Sequence, residues 1–269
     1  MGLDIVTFFV NEKDKIEEIE GKLMSVSNEI DDVLEKMIEL VGDKYKDAIR
    51  EICEKVKELK GEEVERCEIG IASKLVDIVL YDLTYGNDKE MDIRTYAKML
   101  MCVYRPILNE CDREGRDVVD ILVKRGEELA KDEEISKLKE RLRELEMRKM
   151  ELTDRETELT GEPRYNLRKY NMLLGWLMEH DMYNMENNIN IYLEKDTVVR
   201  LLQDVEKAIE AYKAGDIDTC KKTVPTLDGF FFGDIGYNDY YLERLTVLRE
   251  VLNDYLKSGK KYLMLFVWY

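Results

Sequence analysis

Apolar positions along the chain follow two rhythms. From Asn11 onward, Ile16, Ile19, Leu23, Val26, Ile30, Val33, Met37 and Leu40 step by three and four without a miss. That spacing lays one apolar stripe along a helix and, sustained over heptads, makes a seam against another helix. A second such stretch covers residues 132–160, where Leu138, Leu145, Leu152 and Leu159 recur every seven residues, with Ile135 and Leu142 at the alternate positions before Lys149 and Glu156 replace them. Two long heptad helices predict an antiparallel pair within the chain, a seam between two copies, or a helix packed on its own bundle. Gly42 is expected to cap the first, with Asp43 opening the next. Between the heptad stretches the helical period predicts helices over 45–59, ended by Gly61, and over 62–85, ended by Gly86-Asn87-Asp88. A further helix over 91–111 should kink near Arg105 because Pro106 removes a backbone donor, and another follows over 117–131.

The other rhythm belongs to strands. Leu3–Val10 is β-branched and aromatic, Ile189–Leu193 alternates with period two, and Lys261–Tyr269 is an apolar run. Left as open edges the two end segments would template aggregation, so they are expected to pair with one another, with Ile189–Leu193 completing a small sheet. Helices are predicted over 167–182, over 195–214 closed by Gly215, and over 239–257. Gly161-Glu162-Pro163 is the clearest boundary. The expectation is a mostly α, α+β protein: residues 1–10 with 162–269 form a small α+β domain, and 11–161 emerge from it as a helical, coiled-coil insertion.

Composition sharpens this in three places. Charged residues make up 38% of the chain with only three prolines, which suits long helices. A net charge of −17 disfavours nucleic-acid binding, which rests on Lys and Arg displacing counterions. Residues 1–130 hold 32 acids against 20 bases, a surface suited to a basic protein partner as well as to solubility. The five cysteines make no C-x-x-C pair and point to a reducing, cytoplasmic setting. No signal peptide, lipidation or membrane span is expected: Val6 stands where a myristoylation signal wants Ser or Thr, and Tyr262–Tyr269 is too short to cross a bilayer.

Thr223–Arg244 is the least helix-like stretch, holding Gly229, Gly233, Gly236, Phe230, Phe231, Phe232 and Pro225. The opening Met1-Gly2-Leu3-Asp4, the segment Leu167–Leu177, the step Ile191–Leu202 and above all D-G-F-F-F-G-D-I-G-Y-N-D-Y-Y-L-E-R-L from Asp228 resemble a small protein family of bacteriophages and prophages. Its members open with M-G-L-D, carry W-R-K-x-N-x-I-H-x-W-F, and have T-x-S-G-F-F-F-G-x-T-x-Y-D-x-W-Y before the last helix. Here Leu167 and Leu174 replace that Trp and His, Asp228 and Ile235 replace the flanking Ser and Thr, and Tyr237-Asn238 replaces Y-D. The resemblance implies a phage or prophage setting and no chemistry, and residues 11–161 have no counterpart in it.

Candidate chemistry is sparse. His180, the only histidine, lies between Glu179 and Asp181, neighbours that a helix points elsewhere, so contact with the helix C-terminus is favoured over catalysis. Asp216 and Asp218 suit a hard cation or an N-cap, the latter favoured. No catalytic residue, metal ligand or cofactor is expected, and the protein is read as non-enzymatic. The leading expectation is a phage-derived protein whose acidic helical surface binds, and inhibits, a host protein such as a defence or replication factor. A second is capture of a nucleotide-like small molecule by Gly229, Phe231, Gly233, Tyr237, Tyr240 and Arg244. A third is self-association through Leu138, Leu142, Leu145 and Leu152.

Overall fold

The computed structural model describes residues 2–60, 67–81, 93–100, 113–229 and 232–269. The chain is mostly α with one small antiparallel sheet. It divides into two compact units, Met1–Gly21 with Thr153–Tyr269, and Lys22–Leu152. Each division falls inside a long helix, α1 (Lys13–Lys44) or α6 (Glu133–Thr160), and not at the helix ends.

The first unit is built on strands β1 (Asp4–Val10), β2 (Tyr165–Arg168), β3 (Ile189–Glu194) and β4 (Tyr262–Trp268), in the order β2-β1-β4-β3. The two end strands pair along their whole length, from Asp4 opposite Trp268 to Val10 opposite Tyr262, and Ile189–Glu194 adds to the far side of β4. Alternation does the rest. Leu3, Ile5, Phe9, Ile191, Leu193, Leu263, Leu265 and Val267 face a core shared with α7 (Asn171–Glu179), α8 (Lys195–Lys213) and α10 (Asp239–Ser258). The even residues Val10 and Met264 turn the other way, onto Ile16, Leu159 and Tyr192.

A helix expected over residues 167–182 is instead a strand followed by a shorter helix. Tyr165–Arg168 pairs with β1, placing Leu167 opposite Ile5, and Lys169 then turns the chain with φ of 62°. Leu167 is buried because it alternates with Asn166 and Arg168, a period-two signal four residues long. Helix α7 follows, with every residue from Asn171 to Leu177 buried.

In the second unit α1 runs through Gly42 and does not end there. The carbonyl of Val41 accepts from Tyr45 N at 3.0 Å and that of Tyr45 from Ile49 N at 2.9 Å, so the backbone ladder carries on into α2 (Lys46–Lys60). The bundle continues with α3 (Cys67–Val79), α4 (Ile93–Leu100) and α5 (Arg113–Leu129). The expected breaks at Gly61, Gly86-Asn87-Asp88 and Pro106 lie outside the described residues. Asp132 caps α6 by accepting from Glu134 N at 2.9 Å and Ile135 N at 3.2 Å, and it also meets Lys44 Nζ at 3.2 Å. Arg141 Nη2 reaches Glu29 Oε2 at 2.8 Å. These pairs run up one helix as they run down the other, so α1 and α6 are antiparallel. Their seams are used within the chain: Val26, Ile30, Ile135, Leu142, Leu145 and Leu152 are buried and Leu138 is half-buried.

At the second face of the sheet Tyr192 and Asn190 both reach Glu20, and Glu156 lies beside them on α6. Burial pushes the Glu156 carboxyl above its ordinary range, and the Glu20 carboxylate adds to the push. A folded value raised above the unfolded one means the fold prefers the neutral acid. That contribution is complete at a pH below the unfolded carboxyl value and is lost as the pH rises through the folded one. Glu156→Gln should therefore raise the urea midpoint at pH 7 and leave it unchanged at pH 3; a variant no more stable than the parent at pH 7 would contradict it.

Candidate functional site

Two features have the makings of a site, one in each unit. The first is the Thr223–Arg244 stretch, which joins α9 (Ile217–Thr223) to α10. Its ends are tied down: Tyr241 Oη donates to the carbonyl of Val224 at 2.8 Å, and Thr226 N donates to Tyr237 Oη at 3.1 Å while Thr226 Oγ1 donates to the carbonyl of Ile235 at 2.9 Å. From inside, the fully buried Asn171 donates through Nδ2 to the carbonyls of Phe232 at 3.1 Å and Asp234 at 2.9 Å. Phe232 fills the core edge-on to Tyr269, their centroids 5.1 Å apart, and Gly229 lies against its ring. Gly233 holds a φ of 86°, open to glycine at little cost.

Arg244 is 6% exposed and spends its guanidinium on backbone: Nη1 donates to the carbonyl of Lys169 at 2.7 Å and Nη2 to that of Arg168 at 3.2 Å. It stacks on Tyr240 at 3.4 Å, and burial pulls its pKa down to about 10, still protonated at neutral pH. Gly229, Gly233, Tyr237, Tyr240 and Arg244 are thus gathered around the start of α7, with the Tyr237 hydroxyl engaged by Thr226 N and the Arg244 guanidinium by the carbonyls of Arg168 and Lys169. Phe231, the remaining residue of that constellation, lies outside the described residues, as does Phe230. Gly175 closes the arrangement, because a Cβ there would lie 2.1 Å from the carbonyl oxygen of Pro225.

The isolated candidates resolve locally. Asp216 caps α9 by accepting from Thr219 N at 3.0 Å. His180 Nδ1 donates to the carbonyl of Trp176 at 2.7 Å at the end of α7 and stacks on its indole. Among the described residues no group of three or more His, Cys, Asp or Glu side chains is placed to share a metal ion, and no helix is long and apolar enough to cross a membrane. A depression of 530 Å³ lined by Phe9, Arg164, Tyr165, Asp254, Ser258 and Lys260 is bridged by a hydrogen bond from Tyr165 to Asp254.

The second feature is a groove of 870 Å³ in the unit Lys22–Leu152. Its floor is Leu34 and Ile38 of α1, Ile49 of α2 and Ala72 of α3, and Gly42 lies in it with open space where a Cβ would project. Along its rim stand Asp31, Glu35, Glu39 and Asp43, one acid every fourth residue, with Lys46 at the end. Spacing of four stacks these carboxylates on one side of α1 over roughly 18 Å. Among the described residues none of the four makes an ion pair, whereas Glu29 on the α6 side of the same helix is paired to Arg141. Like charges at this spacing repel. No single-residue motif announces the groove, but the acid spacing and a second apolar pair, Leu34 and Ile38, off the heptad stripe are visible in the sequence.

Acidity itself does not single out this unit. Lys22–Leu152 carries 33 acids against 25 bases and the other unit 26 against 17. What is distinctive is the row. Comparison with known protein families, curated proteins and solved structures finds no match for the chain.

Two variants separate packing from charge. Gly175→Ala should lower the stability by about 1–3 kcal/mol, since backbone and not a yielding side chain meets the new methyl; a urea midpoint unchanged from the parent would refute that contact. Glu35→Gln with Glu39→Gln removes all three repulsive spacings and should raise stability by on the order of 1 kcal/mol at low salt. The gain should shrink in 1 M salt, as screened repulsion must.

Proposed function

We propose that the chain is a non-enzymatic interaction protein of phage origin, whose acidic helical surface binds and inhibits a host protein such as a defence or replication factor in the host cytoplasm. The observation that supports this is the unpaired row Asp31, Glu35, Glu39 and Asp43 flanking an apolar floor. Such a row lowers the stability of the free protein and gains favourable partners only when a cationic surface arrives. The sheet unit, with a core of its own in Trp176, Tyr241, Leu245 and Val267, serves as scaffold. The phage setting rests on the resemblance of Met1–Asp4 and the Asp228–Leu245 segment.

The test is affinity capture on the immobilised full chain from lysates of candidate bacterial hosts at low salt, followed by assay of the captured protein's own activity. One stoichiometric partner, lost when Lys22–Leu152 is replaced by a short turn and inhibited in its activity on binding, is the expected result. Capturing no protein from any of these hosts would sink the interaction reading.

A further inference from the structure

The groove's chemistry goes further than the existence of a partner and describes the segment that fits. Resting on the interaction reading above, we propose that the groove takes one cationic amphipathic helix of the partner protein. That helix lays its apolar side chains on Leu34, Ile38 and Ile49, and presents Lys or Arg at every fourth position to Asp31, Glu35, Glu39 and Asp43.

Three properties of the groove select this occupant. Its floor is apolar and half-open: Leu34 and Ile38 are half-buried on a helix whose heptad stripe, Val26, Ile30, Val33 and Met37, is already covered. Helix-in-groove binding uses apolar anchors at that spacing. The rim then supplies a charge period of four residues, about 6 Å, which matches the rise between Lys or Arg side chains one turn apart on a facing helix. An extended strand, whose same-face side chains recur about every 7 Å, drifts out of phase along the row. Finally, among the described residues the carboxylates have no cation to give up, so pairing with a partner breaks no ion pair described there. A second copy of this chain is a poor occupant, since each copy carries a net charge of −17.

The probe is a fluorescein-labelled synthetic peptide roughly 18 residues long, long enough to span the row, with Leu on one helical face and Lys at every fourth position beside it. Its control is an isomer of identical composition with the order scrambled. Fluorescence anisotropy with the full-length protein should show the patterned peptide binding about tenfold or more tightly than the isomer. Binding should weaken about tenfold in Glu35→Lys with Glu39→Lys, and by as much in Gly42→Leu, which fills the groove without touching its charge. Circular dichroism of each variant confirms that it is folded.

Equal binding of the two peptides would overturn the proposal, reducing the row to a diffuse anionic surface. So would displacement of both peptides alike by calcium or spermine, which would make the row a small-cation site. Dimerisation of the parent that is abolished in Gly42→Leu would assign the groove to a second copy. The two readings separate on the captured host protein. Undiminished capture by Gly42→Leu and by Glu35→Lys with Glu39→Lys removes the groove and leaves the interaction function standing. Specific peptide binding with no host protein captured removes the function and leaves the groove.

Discussion

The pairing of β1 with β4 is the constraint on which the sheet unit depends. These two strands, drawn from opposite ends of the sequence, form the centre of the sheet, and β2 and β3 each have only one of them as a neighbour. Seven residues pair with seven, so both faces of the sheet are specified at once. A slip of β4 by one residue would turn Leu263, Leu265 and Val267 out of the core and bring Met264, Phe266 and Trp268 in. Both strands are apolar on their two faces because both faces are needed. The odd residues pack on α7, α8 and α10, and the even residues meet Ile16 and Leu159.

This explains how much was legible from residues alone. Long periodic segments, from Ile16 to Leu40 and from Ile135 to Leu159, and the strand character of both ends, carry their structure in their own pattern. Two things did not. Leu167 sits in a four-residue strand whose identity comes from its pairing with Ile5, and an apolar run beginning at Leu167 is as good a start for a helix. Gly42 carries the residue type of a cap, but the backbone ladder across Tyr45 overrides it, anchored by the fully buried Val41. Both failures are cases of tertiary context outranking a local signal.

The two candidate sites differ in how they show in the sequence. The Gly and Phe stretch is conspicuous by composition, and in the structure its conspicuous residues do packing work: Phe232 fills the core, Arg244 saturates the carbonyls of Arg168 and Lys169, and Tyr237 closes the turn. The acid row is inconspicuous by composition, since the other unit is as acidic. It becomes visible only when the charges are sorted into those already neutralised, such as Glu29 and Asp132, and those left over. Unspent charge beside uncovered apolar surface is the more informative signal, because a folded chain gains nothing from either by itself.

The order of the strands also sets an order in time. β4 lies between β1 and β3 in space, yet in synthesis it follows every other element described here. The centre of the sheet therefore cannot form until β4 is made, and while more than 250 residues are added β1 has β2 but not β4 to pair with. The helical unit needs none of this. Its residues are all made earlier, and contacts such as those of α2 with α3 are close in sequence, the kind that form fast. Vectorial synthesis thus presents the acid-rimmed groove to the cell before the scaffold that carries it has closed.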